Sequence, residues 1–136
     1  MRMGFLIRTI LMWFARVVYE RDAWDYRLER LGDGADIRFK VKNLGSATWP
    51  AVGTKDFRYQ INMGDRWISA GGTAEDNRAA MKADLPPGGE VEMTLTVNAP
   101  RTPGEYTLEI DMVHEGVTWF KERGAQPLQL RVRVQP

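Results

Sequence analysis

Residues 103–120 of the chain read PGEYTLEIDMVHEGVTWF, and this stretch decides the fold. Apolar side chains occupy every second position in its middle: Tyr106, Leu108, Ile110 and Met112. A repeat of two residues is typical of a β-strand with one buried face and one wet face. A Pro-Gly pair precedes this run and a Glu-Gly pair follows it, and both pairs are turn signals. The stretch therefore predicts one strand of an antiparallel sheet, with a hairpin turn at its end.

The same period of two residues recurs along most of the chain. Gly- and Pro-rich turn signals separate the runs that show it, and one of these signals is the Gly64-Asp65 pair. The clear runs are 37–42, 57–63, 91–98 and 128–135, and the weaker ones are 24–31, 66–70 and 78–83. Seven to nine short strands with such turns favour an all-β fold, an antiparallel β-sandwich, over an α/β fold.

The composition is that of an ordinary globular domain. The 136 residues suffice for one domain with its own core, and 43% of them are hydrophobic and 27% charged. Nineteen basic and eighteen acidic residues leave a net charge of +1, so the basic excess that nonspecific nucleic-acid binding requires is missing. Cysteine is absent, which excludes disulfides and Cys-ligated metal sites. We expect no nucleic-acid partner and no cofactor.

Residues 1–22 differ from the rest and are predicted to form an amphipathic α-helix, ahead of a sandwich domain at 23–136. Most of the apolar side chains in this segment fall on one broad face of a helix, opposite Arg8 and Arg16. Because these two arginines interrupt the apolar run well short of about 20 residues, a membrane-spanning helix is not expected. An export signal also fits poorly, because no small-residue cleavage site follows.

Two roles for this predicted helix stay open. It packs against its own domain or a sister subunit, or it lies in a membrane interface with its arginines toward anionic lipid. In either role we expect Arg8, Trp13, Phe14 and Arg16 to make the docking contacts. The expected location is cytoplasmic, and in the second role it is peripheral on the inner membrane.

From Asp36 to Val134 the order of motifs resembles a known domain. The motifs are VKNLGSATWP, GDRWI, LPPGGEVEMTLTVNAP, PGEYTLEIDMVHEGVTWF and GAQPLQLRVRV. They resemble an immunoglobulin-like β-sandwich domain found beside bacterial glycosyltransferases and methyltransferases of surface-polysaccharide pathways. They are also similar to the four-tryptophan domain of selective-autophagy receptors. The resemblance implies an immunoglobulin-like antiparallel sandwich that serves as a non-catalytic accessory or recognition module.

The resemblance assigns motif positions residue by residue. They are Asn43, Gly45, Trp49, Trp67, Pro87, Gly88, Ala99, Pro100, Pro103, Gly104, Trp119 and Phe120. The chain departs from the four-tryptophan pattern, because only three tryptophans lie in the matched region. It also departs from the bacterial pattern, because the N-terminal segment stands where a catalytic domain is expected. The association with polysaccharide synthesis therefore transfers weakly.

Residues that could build a catalytic site are few. His114 and Glu115 begin like a zinc-protease motif, but the sequence has no second histidine. Glu109 and Asp111 could in principle form a glycosidase pair, yet alternation puts both on the wet face of their strand, where carboxylates are normally solvated. We therefore expect no enzyme activity, no catalytic residues and no metal site, with calcium bound by loop acids as a weaker alternative.

The aromatic residues are the informative candidates for ligand binding. Exposed tryptophan rings stack on the apolar faces of sugars, whereas large aromatics also fill the core of a sandwich. Trp49, Trp67 and Trp119 each lie near a predicted turn, so both roles stay open for them. Alternation adds that Trp119 and Phe120 point to opposite faces, so one of them faces away from the core. These four residues are the predicted contacts with a ligand or partner.

The function expected from the sequence is that of a binding or assembly module. Its N-terminal helix would dock it to a membrane surface or a partner subunit, and the sandwich would present Trp67 and the hairpin around Trp119 to a ligand. One alternative is a carbohydrate-recognising accessory domain in bacterial cell-surface polysaccharide synthesis. Another is a structural subunit of a larger assembly, such as a homo-oligomer, in which the helix is buried against its neighbours.

Overall fold

The computed structural model of the protein describes residues 3–7, 26–30, 36–52 and 59–136. These residues form nine strands and one short 3-10 helix. The strands are β1 (Met3–Ile7), β2 (Tyr26–Arg30), β3 (Asp36–Asn43), β4 (Ile61–Ser69), β5 (Gly72–Ala80), β6 (Glu90–Thr96), β7 (Gly104–His114), β8 (Thr118–Trp119) and β9 (Leu128–Val134), and the 3-10 helix is Phe120–Arg123.

The strands pair into two sheets, and every pairing between them is antiparallel. The large sheet has the order β1-β9-β7-β4-β5, with β8 as a further partner of β7, and the small sheet has the order β2-β3-β6. The long strand β7 is central, because it pairs with β4, β8 and β9. The predicted all-β fold of antiparallel sheets is thus confirmed.

One hydrophobic core contains side chains from both sheets. Strand β9 shows how the sequence produces it, since its residues alternate strictly between buried and exposed from Leu128 to Val134. Strand β3 follows the same period, and Ile37, Phe39 and Val41 are fully buried. Burial of each such side chain contributes roughly 2 kcal/mol, so this pattern stabilises the contact between the two sheets.

The first residues of the chain form a strand where a helix was expected. Strand β1 pairs with β9, so that Met3 lies opposite Val134 and Ile7 lies opposite Leu130. The side of β9 that faces away from β7 offers backbone donors and acceptors that need partners, and β1 satisfies them. The helix prediction therefore does not hold for these five residues.

The rest of the predicted helix, from residue 8 onward, lies outside the described residues. Arg8, Trp13, Phe14 and Arg16 lie there too, so their docking role stays a prediction. Within the residues that the structure describes, no helix is both long enough and apolar enough to cross a membrane.

Strand β4 is continuous where the sequence predicted a turn. Gly64 and Asp65 lie in its middle, and the pairing of β4 with β5 shifts at this point. Asp65 there faces two residues of β5, Asp76 and Asn77, which is the arrangement of a β-bulge. The backbone amide of Asn77 donates to Asp65 Oδ1 at 2.8 Å. The Asp65 side chain thus replaces the backbone hydrogen bond between β4 and β5 that the bulge removes.

The Asp65 carboxyl group is an acid held on the core side of the sheet. It is fully buried, and its Oδ2 accepts no hydrogen bond. Burial, together with the neighbouring Asp76 carboxylate, raises the pKa of Asp65 to about 7. In its protonated form Asp65 can donate to Asp76. Asp76 itself accepts from the backbone amide of Asn98 at 2.9 Å, which links β5 to the segment after β6.

A buried asparagine fastens the loop after β3 to the loop before β6. The Asn43 side chain is fully buried, and its Nδ2 donates to the carbonyl oxygens of Ala47 and Leu85, both at 2.9 Å. Its Oδ1 accepts from the amide of Gly45 at 2.8 Å. Gly88 has a φ of +80°, which favours glycine, and its amide donates to the Asn43 carbonyl at 2.7 Å. This network is the structural reason for the Asn-x-Gly and Pro-Gly motifs.

Asn43→Ala should lower the free energy of unfolding by about 3 kcal/mol, because it leaves buried backbone groups without their partners. Urea unfolding followed by tryptophan fluorescence measures the change. The control is Thr94→Ala at an exposed position of β6, which should change stability by no more than about 0.5 kcal/mol. Equal effects of the two substitutions would contradict the structural role of Asn43.

Asp65→Asn should stabilise the protein more at pH 8 than at pH 5. The pKa of Asp65 in the folded protein, about 7, lies above its usual value of 3.8, so the unmodified protein loses stability as the pH rises between these values. Asparagine does not ionise, and it keeps the acceptor for Asn77. The stability difference between variant and parent should therefore grow by about 3 kcal/mol between the two pH values, measured by urea unfolding. An identical difference at both pH values would show that Asp65 does not titrate in this range.

Candidate functional site

The face of the large sheet that points away from the core carries buried charge. We call it the outer face and define it by five residues: Arg66 of β4, Arg78 of β5, Glu109 and Asp111 of β7, and Trp119 of β8. Glu109 and Asp111 are 1% and 0% exposed. The expectation that they are solvated is therefore wrong, because side chains from neighbouring elements cover them.

Glu109 is the centre of a hydrogen-bond network that joins three other elements to β7. Its Oε1 accepts from Arg66 Nη2 of β4 at 2.6 Å. Its Oε2 accepts from Lys121 Nζ of the 3-10 helix at 2.9 Å and from Gln129 Nε2 of β9 at 2.7 Å. Burial alone would raise the pKa of Glu109, but these hydrogen bonds and the adjacent positive charges outweigh it and hold the pKa below its usual value. Glu109 is therefore ionised and paired at neutral pH.

Asp111 fixes the start of the 3-10 helix against β7. Its Oδ2 accepts from the backbone amide of Lys121 at 2.9 Å, and its Oδ1 accepts from the amide of Met112 at 2.9 Å. Arg66 Nη2 lies 3.9 Å from Asp111 Oδ2. One guanidinium group thus lies within ion-pair distance of both buried carboxylates, and Lys121 adds a second positive charge at Glu109.

The Trp119 indole lies on the outer face in contact with two arginines. The guanidinium carbon of Arg66 is 4.1 Å from the ring centroid and that of Arg78 is 4.8 Å from it, both within the range of cation–π attraction. A Cβ atom on Gly64 would lie 2.9 Å from Trp119 Cη2, so the glycine provides the space that the ring occupies. Trp119 is half-buried in this position.

Arg78 also connects the outer face to the turn between β7 and β8. Its Nη2 donates to Glu75 at 2.9 Å and its Nε donates to Glu115 at 2.8 Å. The Glu115 carboxylate accepts in addition from Asn62 Nδ2 at 2.7 Å. The Glu115 carbonyl accepts from the Tyr59 amide at 2.7 Å. Glu115 therefore joins the outer face to the chain that leads into β4.

Three of the four aromatic residues predicted to contact a ligand belong to the core. Trp49 is 1% exposed and packs edge-to-face on Phe120, with ring centroids 5.2 Å apart. Trp67 is 5% exposed and packs edge-to-face on Tyr106 at 5.9 Å. The expectation that the protein presents Trp67 to a ligand is thus corrected, because β4 runs through the predicted turn and points this ring inward. Of the Trp-Phe pair, Phe120 faces the core and Trp119 faces away from it.

A second surface lies at the end of the molecule where β3 and β7 finish and β4 begins. Among the described residues, the large hydrophobic side chains that are exposed are Leu44, Val52, Tyr59 and Val117. All four lie in the loops at this end, and we call the surface that they form the loop end. Their exposed fractions run from 39% to 80%. Sequence reasoning pointed to the hairpin that contains Val117 but missed Leu44, Val52 and Tyr59, because loop residues follow no period that would single them out.

Backbone hydrogen bonds hold the loops of the loop end side by side. The Ile61 amide donates to the Pro50 carbonyl at 2.9 Å, which brings the loop after β3 to the start of β4. The Val117 amide donates to the His114 carbonyl at 2.9 Å and closes the turn after β7. Tyr59 adopts a φ of +72°, uncommon for a residue other than glycine, and its ring packs edge-to-face on His114 at 6.2 Å.

His114 is the only histidine of the sequence, and its ring packs against Tyr59. Burial lowers the pKa of His114, and a hydrogen bond with the Tyr59 backbone opposes only part of this effect. The imidazole is therefore neutral at pH 7. Among the described residues, no group of three His, Cys, Asp or Glu side chains could hold a metal ion.

We compared the chain with known protein families, curated proteins and solved structures. No protein-family model, curated protein or solved structure matches the chain. The resemblance to immunoglobulin-like domains stays a prediction from the sequence.

Gly64→Ala should lower the free energy of unfolding by about 1 to 2 kcal/mol, because the new Cβ would lie 2.9 Å from Trp119 Cη2 and 3.0 Å from Arg78 Nη1. The matched control is Gly71→Ala, whose Cβ would lie 3.7 Å from Ser69 Oγ, an ordinary contact. Urea unfolding of both variants measures the change. In a Trp119→Leu background the cost of Gly64→Ala should fall by about half, because only the contact with the flexible Arg78 side chain stays. An unchanged cost in that background would show that the indole is not its source.

Proposed function

We propose that the protein is a non-catalytic binding module that contacts a protein partner through the loop end. One observation carries this proposal: among the described residues, the exposed large apolar side chains all lie on the loops at one end of the molecule. Clustered exposed apolar side chains mark surfaces that bind other macromolecules. Loops held on a rigid scaffold are also where binding residues concentrate.

We further propose that the two sheets form an immunoglobulin-like β-sandwich. They share one core, and the Trp49 ring is buried in it. Tyr106 Oη donates back to the Thr102 carbonyl at 2.7 Å, a contact that resembles the tyrosine corner of immunoglobulin-like domains. In such a sandwich the loops gather at the two ends, and the loops of one end bind the ligand in antibody variable domains.

The buried acidic pair supports a structural role in place of a catalytic one. Both oxygens of Glu109 accept hydrogen bonds from side chains of the protein, and Asp111 accepts from two backbone amides. A general acid or base has to exchange a proton with a substrate within hydrogen-bond reach. These carboxylates are covered, and their acceptor positions are occupied by fixed donors, so their use is to hold β7 against its neighbours.

The chemistry of the exposed side chains favours a protein partner over a sugar. Three of the four at the loop end are aliphatic, and an aliphatic side chain offers no flat ring on which a pyranose could stack. Trp119 already has two guanidinium groups against its ring, so a sugar would have to displace one of them. Polysaccharide recognition stays a prediction, as does membrane docking through Arg8, Trp13, Phe14 and Arg16.

A photo-activatable cross-linking residue in place of Val117, in the full chain inside the producing cell, tests the proposal. We expect one discrete adduct of higher mass, formed with another protein or with a second copy of this chain. The matched control carries the same residue in place of Arg101, which is exposed at the opposite end of β7, and it should give no such adduct. No adduct from position 117, or the same adduct from both positions, would contradict the proposal.

The captured partner then allows an affinity measurement with purified proteins. Val117→Asp and Tyr59→Asp should each raise the Kd at least tenfold, because each places a charge where an apolar contact forms. Arg101→Glu should change the Kd less than twofold. Unchanged affinity in both loop-end variants would place the interface elsewhere.

A further inference from the structure

The chain that leads into β4 meets the turn after β7 in a β-bulge. Tyr59 and Gln60 together face one residue, Glu115. The Tyr59 amide donates to the Glu115 carbonyl at 2.7 Å, and the Glu115 amide donates to the Gln60 carbonyl at 3.0 Å. Regular pairing begins at the next residue, where Ile61 lies opposite His114. In bulges whose first residue has a left-handed backbone, that residue is characteristically glycine.

This chain has a tyrosine at the glycine position of the bulge. Tyr59 has a φ of +72°, and among the described residues it is the only one other than glycine with a positive φ. A Cβ atom makes this conformation unfavourable, and a bulky aromatic residue rarely adopts it. Glycine would adopt it without strain. The tyrosine therefore lowers stability at this position, so we look for what its side chain contributes in return.

The fold gains little from the Tyr59 ring. The residue is 44% exposed and does not belong to the core that the two sheets share. Its ring packs edge-to-face on His114, which is itself only half-buried. Strained residues that the surrounding structure holds in place are concentrated at functional sites, and bulges next to such sites redirect a side chain. The conformation of Tyr59 therefore indicates a use in binding.

The outer face holds the strained residue in place. The carboxylate of Glu115, whose carbonyl binds the Tyr59 amide, accepts from Asn62 Nδ2 at 2.7 Å and from Arg78 Nε at 2.8 Å. Asn62 Oδ1 accepts in turn from Gln60 Nε2 at 3.1 Å. These hydrogen bonds fix both sides of the bulge, so the loop end presents Tyr59 from a fixed backbone.

We propose that Tyr59 is the anchor through which the loop end binds its protein partner, and that the partner contributes an apolar pocket for the aromatic ring. The inference rests on the proposed function, because it concerns the same surface. An aromatic side chain in a pocket commonly contributes most to affinity, whereas the residues around it mainly exclude water. Leu44, Val52 and Val117 form these surrounding contacts.

Replacement by glycine separates the effect of Tyr59 on the fold from its use in binding. Tyr59→Gly should leave the Tm at or above that of the parent, because glycine removes the strain. The matched control is Val117→Gly, at a residue that is also 44% exposed but has no positive φ. There glycine should lower the Tm by about 2 to 4 °C, measured by calorimetry. A Tm of Tyr59→Gly below that of the parent would show that the ring stabilises the fold, and would overturn the inference.

Binding is measured as the yield of the adduct in the cell, with the photo-activatable residue at position 117 of the full chain. Tyr59→Gly and Tyr59→Asn should each lower this yield at least tenfold. Asparagine tolerates a left-handed backbone without the flexibility of glycine, so it removes the ring alone. Tyr59→Phe keeps the ring and should retain at least half of the yield. A smaller loss with glycine or asparagine, or a larger loss with phenylalanine, would overturn the inference.

The anchor and the proposed function fail in different ways. An adduct that forms in the parent and persists in Tyr59→Gly would keep the loop end as the binding surface and remove the anchor. No adduct from position 117 in the parent would remove the binding surface, and the anchor with it, whatever the Tm of the glycine variant.

Discussion

The interaction on which the rest of the structure depends is the burial of an ionised carboxylate, Glu109, in the middle of the central strand. A buried charge without partners costs several kcal/mol, so donors have to converge on it from the elements around it. Arg66 comes from β4, Gln129 from β9 and Lys121 from the 3-10 helix. A shift of register by one residue would turn Glu109 toward the core and away from these donors. The register of β7 is therefore specified by the ion pairs of Glu109 as well as by the alternation of its apolar side chains.

The outer face also determines the geometry of the loop end. The Arg66 side chain that pairs with Glu109 contacts the Trp119 ring, and Arg78 contacts the same ring and binds Glu115. The Glu115 carbonyl then accepts from the amide of Tyr59, one of the exposed residues. The loops that we propose as the binding surface are thus held by a network on an adjacent face. Such preorganisation lowers the ordering entropy that a partner has to overcome on binding.

The sequence predicts the sheets well, because the period of two residues is a local property; β9 reads correctly from Leu128 to Val134. It predicts the polar contacts poorly, because they depend on residues far apart in the chain. Gly64 is predicted as a turn signal, yet it lies within β4, where its missing side chain leaves room for the Trp119 ring. Glu109 reads as solvated, yet its donor Arg66 is 43 residues away in the sequence and covers it. The loop end as one surface could not be predicted beyond the hairpin around Trp119, since its residues become neighbours only when the strands pair.

The pairing of β1 with β9 has a consequence for how the molecule responds to force. Met3 lies opposite Val134, so the first and last strands end side by side. Tension applied between residues 3 and 134 would therefore open this ladder one pair of hydrogen bonds at a time, starting from the Met3–Val134 pair. A ladder opened in sequence resists far less than one whose hydrogen bonds are loaded together in shear. We expect β1 to peel away at low force, while β7 with its buried carboxylate network keeps the remaining strands together.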